Sequence, residues 1–232
     1  MKRSTVVALG FVAAVVGLGE ARAAAVSFLG DSAGFASAIA GLGAGPVVED
    51  YEGLSVGTGI ADGQTVNGIT YGFDPDGLSG EIRGIGGSSG ANTLGGQLDT
   101  FPANDFFIGD EITFSFAPSF GFGLFVVLSP SAAADLFAED INLTAGGLTL
   151  SNGADDEGLI ETLNGVQAFF VGVVDADTPF TDASLRFGSV GANENFGVGD
   201  IDDVTLAPVP LPGAVWLFGA GLAALGAWRR WR

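Results

Sequence analysis

The amino-acid sequence predicts an all-β fold: an antiparallel β-sandwich or jelly roll with one short N-terminal helix and a hydrophobic helix at the C-terminal end. Two observations lead to this prediction. About ten short β-prone runs follow one another, separated by glycine and aspartate. Some of these runs alternate between apolar and polar residues, and others are continuously apolar. No repeat of about 20–50 residues is present, which disfavours a solenoid or a propeller.

The first 25 residues are typical of a signal peptide. Lys2 and Arg3 form a short positive segment, and residues 6–18 are uncharged and mostly apolar. That run has the length of a signal-peptide core and is short for a membrane span. Small residues follow, and Ala23 and Ala25 fit the alanine positions of a cleavage site. We therefore expect an exported protein whose mature form starts at residue 24 or 26.

Residues 30–45 are predicted to contain the helix of the folded domain. Asp31 or Ser32 can cap its N-terminus, because both residue types accept a hydrogen bond from an otherwise free amide. Apolar residues recur at helical spacing along one face, namely Phe35, Ile39 and Leu42. Glycines at positions 41, 43 and 45 predict the end of the helix.

Short β-prone runs begin after the helix. The predicted strands cover residues 47–51, 69–73, 106–108, 111–117, 122–129, 141–144, 148–151, 167–174, 183–187 and 201–206. The glycine- and serine-rich residues 75–100 predict either one long surface loop or a hairpin pair.

Two kinds of strand can be distinguished by pattern. Ile112, Phe114 and Phe116 alternate with polar residues, which is typical of a strand with one buried face. Residues 124–128 and 169–174 are continuously apolar, which favours central strands covered on both faces.

The amino-acid composition excludes most kinds of catalytic site. Among the 232 residues there is no cysteine and no histidine, and Lys2 is the single lysine. The sequence therefore excludes disulfides, thiol nucleophiles and cysteine-ligated metals. It also lacks the usual general base of serine and cysteine hydrolases and the commonest zinc ligand.

Charge is distributed unevenly along the chain. Residues 26–212 contain 26 acidic residues against Arg83 and Arg186, a net charge of −24, and the whole chain carries −19. Nucleic acid binds to basic surfaces, so this charge argues against nucleic acid as a partner. The remaining basic residues lie near the two ends of the chain, beside the apolar runs.

The last 24 residues combine three features in order. A short motif comes first, consisting of Val209, Pro210, Leu211, Pro212 and Gly213. Residues 213–228 are uncharged and mostly apolar, and as a helix they would extend over about 24 Å, close to the length of a membrane span. The chain then ends in a basic cluster, formed by Arg229, Arg230 and Arg232, which the positive-inside rule keeps on the cytoplasmic side. We therefore predict a transmembrane helix over residues 213–228.

This tail resembles the PEP-CTERM sorting signal of Gram-negative bacteria in its VPLPA variant, with Gly213 where the variant usually has alanine. The resemblance covers residues 209–232. It implies export by the Sec machinery, transient anchoring in the inner membrane, and processing near Pro212 by an exosortase, a membrane-embedded transpeptidase-like enzyme. Proteins with this tail tend to accompany exopolysaccharide production and biofilm matrix. We expect signal peptide 1–25, ectodomain 26–207 and sorting tail 208–232, with the processed protein at the cell surface or in the extracellular matrix.

Acidic motifs near both ends of the ectodomain resemble those of galactose-binding-like sandwich domains. Residues 48–53 have the sequence VEDYEG, and residues 200–204 have the sequence DIDDV. In that fold the first and last strands lie together, so acidic residues from both can meet. Calcium takes about six to eight oxygen ligands, and the resemblance therefore suggests a structural calcium site using some of Glu49, Glu52, Asp202 and Asp203. Neighbouring strand residues point to opposite faces, so not all four can be ligands. Solvated acidic strand ends are the alternative.

Three functions remain open. The first, which we expect, is a non-catalytic surface or matrix protein. The second is a carbohydrate-binding module of the galactose-binding-like type. Tyr51 and Tyr71 are the only tyrosines and no tryptophan precedes Trp216, so its sugar platform would need phenylalanine. The third is a glycosidase that uses two carboxylates, although the sequence marks no particular pair as catalytic.

Overall fold

The structure is a computed structural model that describes residues 25–43, 45–74, 78–98, 106–107, 109–128, 141–151, 161–188 and 197–209. These residues form 15 β-strands, all paired antiparallel, and one α-helix. The prediction of an all-β fold with one short N-terminal helix is confirmed. The C-terminal helix predicted over residues 213–228 lies outside the described residues.

The helix, α1, covers Ser32–Gly41. The strands are β1 (Val26–Leu29), β2 (Val47–Glu49), β3 (Gly59–Ile60), β4 (Thr65–Val66), β5 (Ile69–Asp74), β6 (Leu78–Arg83), β7 (Thr93–Leu98), β8 (Phe106–Phe107), β9 (Glu111–Leu128), β10 (Ile141–Ala145), β11 (Leu148–Ser151), β12 (Glu161–Leu163), β13 (Val166–Val174), β14 (Phe180–Phe187) and β15 (Gly197–Pro208). Two predicted strands, 111–117 and 122–129, are the two halves of β9, which continues through Pro118. Strands β6 and β7 form a hairpin within residues 75–100.

Strand β9 is the central element, and its two halves belong to two parts of the sheet. Residues 111–115 pair with β5 on one side and β14 on the other. Residues 121–128 pair with β13 and β15. Side chains from both parts meet in one core, as in the contact between Phe114 and Phe122, whose ring centroids are 5.0 Å apart. This arrangement is consistent with a sandwich.

Burial along β9 follows the two sequence patterns. In its first half Ile112, Phe114 and Phe116 are buried, and the intervening Thr113 and Ser115 are exposed. Every residue of the second half from position 121 is buried, and so are residues 168–174 of β13. Both predictions, a half-buried strand and central strands covered on two faces, are confirmed.

Helix α1 covers the outer face of these central strands. Its N-terminus is capped by Asp31, whose Oδ1 accepts a hydrogen bond of 2.8 Å from the amide of Gly34. Phe35 and Ile39 lie four positions apart on the buried face and pack against Phe125 and Phe170 in a second apolar cluster. Burying each such side chain contributes about 1.5–3 kcal/mol to the free energy of unfolding.

The acidic motifs lie on neighbouring strands. Strand β2 pairs with β15, with Glu49 opposite Val204. The register between β15 and β9 shifts between Asp202 and Thr205, which marks a bulge at this point. The loop of the β6–β7 hairpin, residues 84–92, contacts the same strand ends. These three segments surround the acidic residues of the predicted site.

Candidate functional site

Glu49 ends strand β2 and points into the protein. Its side chain is 3% exposed, and Oε1 accepts a hydrogen bond of 3.0 Å from the amide of Tyr51. Oε2 accepts from the side-chain amide of Asn67, which adopts a positive φ of 46° in the turn between β4 and β5. Glu49 therefore connects two turns of the chain.

Asp202 is fully buried and binds the hairpin loop. Its Oδ2 accepts hydrogen bonds from the amide of Ser88 at 2.7 Å, from the Ser88 hydroxyl at 2.9 Å and from the amide of Ser89 at 3.3 Å. The Ser88 hydroxyl also lies 2.6 Å from Oδ2 of Asp203. A serine hydroxyl has one hydrogen to donate, so the Ser88 hydroxyl donates to only one of the two carboxylates at a time.

Glycines of the hairpin loop allow this close approach. A Cβ at Gly87 would overlap the carboxylate of Asp202, and a Cβ at Gly90 would overlap that of Glu52. Oε1 of Glu52 accepts a hydrogen bond of 2.7 Å from the amide of Asn92. The acidic strand ends thus hold the loop through its backbone amides. The glycine- and serine-rich composition of residues 84–92 was the sequence signal for these donors.

The four residues predicted to bind calcium are divided among protein donors. Asp202 and Asp203 share Ser88, Glu49 binds Asn67, and Glu52 binds Asn92. Among the described residues, no group of three or more histidine, cysteine, aspartate or glutamate side chains is placed to hold a metal ion. Calcium takes about six to eight oxygen ligands, and the calcium site stays a prediction.

The environment of Asp202 changes its acidity. Burial and the neighbouring Asp203 carboxylate raise its pKa to about 7, against the opposing effect of hydrogen bonds from Ser88, Ser89 and the Asp203 amide. The unfolded chain has a carboxyl pKa of about 3.9. As the pH rises from about 4 to 7, the unfolded state loses its proton before the folded state does, so this group lowers the free energy of unfolding over that range.

We expect the Asp202 carboxyl to titrate near pH 7 in a carbon-13 NMR titration of the protein. Its contribution would lower the free energy of unfolding by up to about 4 kcal/mol between pH 4 and pH 7. The variant Asp203→Asn removes the nearest like charge and should lower the pKa of Asp202. A midpoint near pH 4 in the unaltered protein would contradict the expectation.

Both tyrosines belong to the core. Tyr51 and Tyr71 are 0% exposed, and their hydroxyl oxygens lie 3.1 Å apart. Burial raises the pKa of each hydroxyl well above its ordinary value, so both stay protonated. Among the side chains that the structure describes, every aromatic ring is buried or partly buried. The described surface therefore offers no exposed ring on which a sugar could stack.

A groove with a volume of about 410 Å³ lies between α1 and strand β2. Its apolar lining includes three phenylalanine rings in contact, since the centroids of Phe35 and Phe125 each lie 5.0 Å from that of Phe170. Ala36 and Val48 line it from α1 and from β2. The sequence did not predict this groove, because the shape of the groove depends on how α1 packs against the sheet.

Asp203 on β15 also lines the groove, and its conformation is unusual. Its φ is 50°, in the left-handed region that non-glycine residues adopt rarely and at a cost. Oδ2 accepts from Ser88, while Oδ1 is buried without a hydrogen-bond partner in the described part of the chain. Buried polar atoms are nearly always paired, so this oxygen is an exception.

No family model, curated protein or solved structure matches this chain.

The residues predicted for sorting lie mostly outside the described residues. These are Ala23, Pro210, Leu211, Pro212, Gly213, Arg229, Arg230 and Arg232. Ala25 is described and packs partly buried against the main core. Val209 is 37% exposed, and its amide donates a hydrogen bond to the carbonyl of Pro118. No helix within the described ranges is both long and apolar enough to cross a membrane.

Proposed function

We propose that this protein is an exported, non-catalytic component of the cell surface or extracellular matrix, sorted by an exosortase-type system and associated with exopolysaccharide or biofilm. The observation that carries the proposal is the ordered tail: a VPLPG motif, an uncharged stretch and an arginine cluster within the last 24 residues. The Sec machinery, the inner membrane and the processing enzyme are its partners during export.

The boundaries of the folded domain support this proposal. Within the described residues, the first strand begins at Val26, directly after the expected signal peptide, and the last strand ends at Pro208. Val209, the first residue of the motif, is partly exposed at the end of the sheet. A described strand that ends one residue before the motif is consistent with the proposed boundary between ectodomain and sorting tail.

The described acidic groups fit a structural role. Glu49, Asp202 and Glu52 accept hydrogen bonds from turns and from the hairpin loop. Other acidic residues, such as Asp74 and Asp182, are exposed. A high net charge keeps an exported β protein soluble and discourages association at its strand edges.

Intact mass spectrometry of the protein from the membrane and medium of its own cells tests the proposal. We expect a form that starts at residue 24 or 26 and ends near Pro212. The variant Pro212→Ala should accumulate with its tail attached, while the matched variant Pro208→Ala, just outside the motif, should be processed normally. A wild-type protein that retains Arg229, Arg230 and Arg232 in every fraction would contradict the proposal.

A further inference from the structure

The groove between α1 and β2 has the size and lining of a small-molecule site. Its volume of about 410 Å³ lies in the range of roughly 300–1,000 Å³ that ligand pockets occupy. Such pockets are mostly apolar with a few polar groups that orient the ligand. Here the buried residues Phe35, Phe125 and Phe170, each at most 9% exposed, are part of the lining, and Asp203 is its charged residue.

Asp203 is held in a costly conformation beside this groove. The register shift after Asp202 forms a bulge in β15, and Asp203 adopts a φ of 50° there. Bulges of this kind often redirect a side chain toward a functional site. A buried carboxylate oxygen without a donor is also unfavourable. A positive charge brought beside this carboxylate would offset that cost.

Charge decides which kind of donor fits best. The carboxylates of Asp202 and Asp203 both lie within hydrogen-bond distance of the Ser88 hydroxyl, which donates to only one of them at a time. Their repulsion contributes to the raised pKa of Asp202. The N-terminus of α1 is capped by Asp31, which reduces its attraction for an anion. The surrounding domain carries a net charge of −24. A cation is therefore favoured over a neutral or an anionic group.

We propose that this groove binds a small organic ammonium ion, with its apolar body against the phenylalanine rings and its charged nitrogen at Asp203. The positive charge lies beside the Asp203 carboxylate and reduces the repulsion between the two aspartates. Apolar contact supplies affinity, and the carboxylate selects for positive charge. This site is distinct from the sorting tail, so it does not depend on the proposed route of export.

Binding of two probes with the same apolar body tests the proposal. 2-Phenylethylammonium carries the charge, and 2-phenylethanol replaces it with a neutral hydroxyl. Calorimetric titration uses the mature protein recovered from the cells that make it. We expect the ammonium to bind about tenfold to a hundredfold more tightly than the alcohol, as for a hydrogen bond to a charged group, and to raise the melting temperature.

Three variants locate the site. Asp203→Asn should remove the preference for the ammonium while the alcohol still binds, and asparagine tolerates the positive φ at this position. Ala36→Phe should fill the groove and abolish binding of both probes, whereas Ala40→Phe, on the same helix but outside the groove, should not. Equal affinity for the two probes, or unchanged ammonium binding in Ala36→Phe, would overturn the proposal. So would self-association of the protein that Ala36→Phe abolishes, because the groove would then be covered by a second copy.

Discussion

Replacing Arg83 with alanine is expected to lower the free energy of unfolding by about 3–5 kcal/mol, measured by urea denaturation followed by circular dichroism. Nη1 of Arg83 on β6 lies 2.8 Å from Oδ1 of Asp200, whose side chain is fully buried in β15. Thr93 donates to the other oxygen of the same carboxylate at 2.6 Å. Without the guanidinium, a buried negative charge loses the partner that compensates its desolvation, which is the costly way to break such a pair.

The other arginine of the described chain provides the matched control. Arg186 on β14 lies 3.7 Å from Glu111, and the two side chains are 34% and 27% exposed. Because partly exposed pairs contribute about 0–1 kcal/mol, Arg186→Ala should have a small effect. Adding Asp200→Asn to Arg83→Ala should recover part of the loss, since it removes the charge of the buried carboxylate. Similar losses for the two arginine variants would contradict this account.

Much of the fold could be predicted from local sequence pattern. The alternation at Ile112, Phe114 and Phe116 depends only on the two-residue period of a strand, and the continuous apolar run at 169–174 depends only on burial of both faces. The helix could also be predicted from the sequence, because a cap and apolar residues four positions apart are local features. Very short strands such as β3 and β4 carry no such period, and they were missed.

The arrangement of the acidic residues could not be predicted in the same way. Arg83 and Asp200 are 117 positions apart, and Ser88 and Asp202 are 114 apart, so no local pattern connects them. The pairing of β2 with β15 was expected, and it does bring the two acidic motifs close. Which donor each carboxylate then meets depends on side-chain direction and on the hairpin loop. In the structure the carboxylates predicted for calcium accept hydrogen bonds from the β4–β5 turn and from the hairpin loop, contacts that no local pattern could predict.

Replacing both Gly123 and Gly172 with alanine is expected to lower the free energy of unfolding by about 2–6 kcal/mol, taking about 1–3 kcal/mol for each overpacked methyl group. The two glycines face each other across β9 and β13. A Cβ at Gly123 would lie 2.7 Å from Cζ of Phe170 and 2.9 Å from Cζ of Phe35. A Cβ at Gly172 would lie 2.9 Å from Cδ2 of Phe35. Both rings are 2% exposed and have little room to move.

This pair of glycines sets how closely α1 approaches the sheet, because Phe35 packs directly over them. Urea denaturation measures the loss, and hydrogen exchange should show the amides of α1 opening more readily than those of β14, which lies in the other half of the sheet. Gly53→Ala is the control, since nothing lies within 4 Å of its added methyl group. If the double variant is no less stable than this control, the helix does not depend on the two glycines. If it is less stable and also loses 2-phenylethylammonium binding, the helix position determines both the stability of the domain and the shape of its groove.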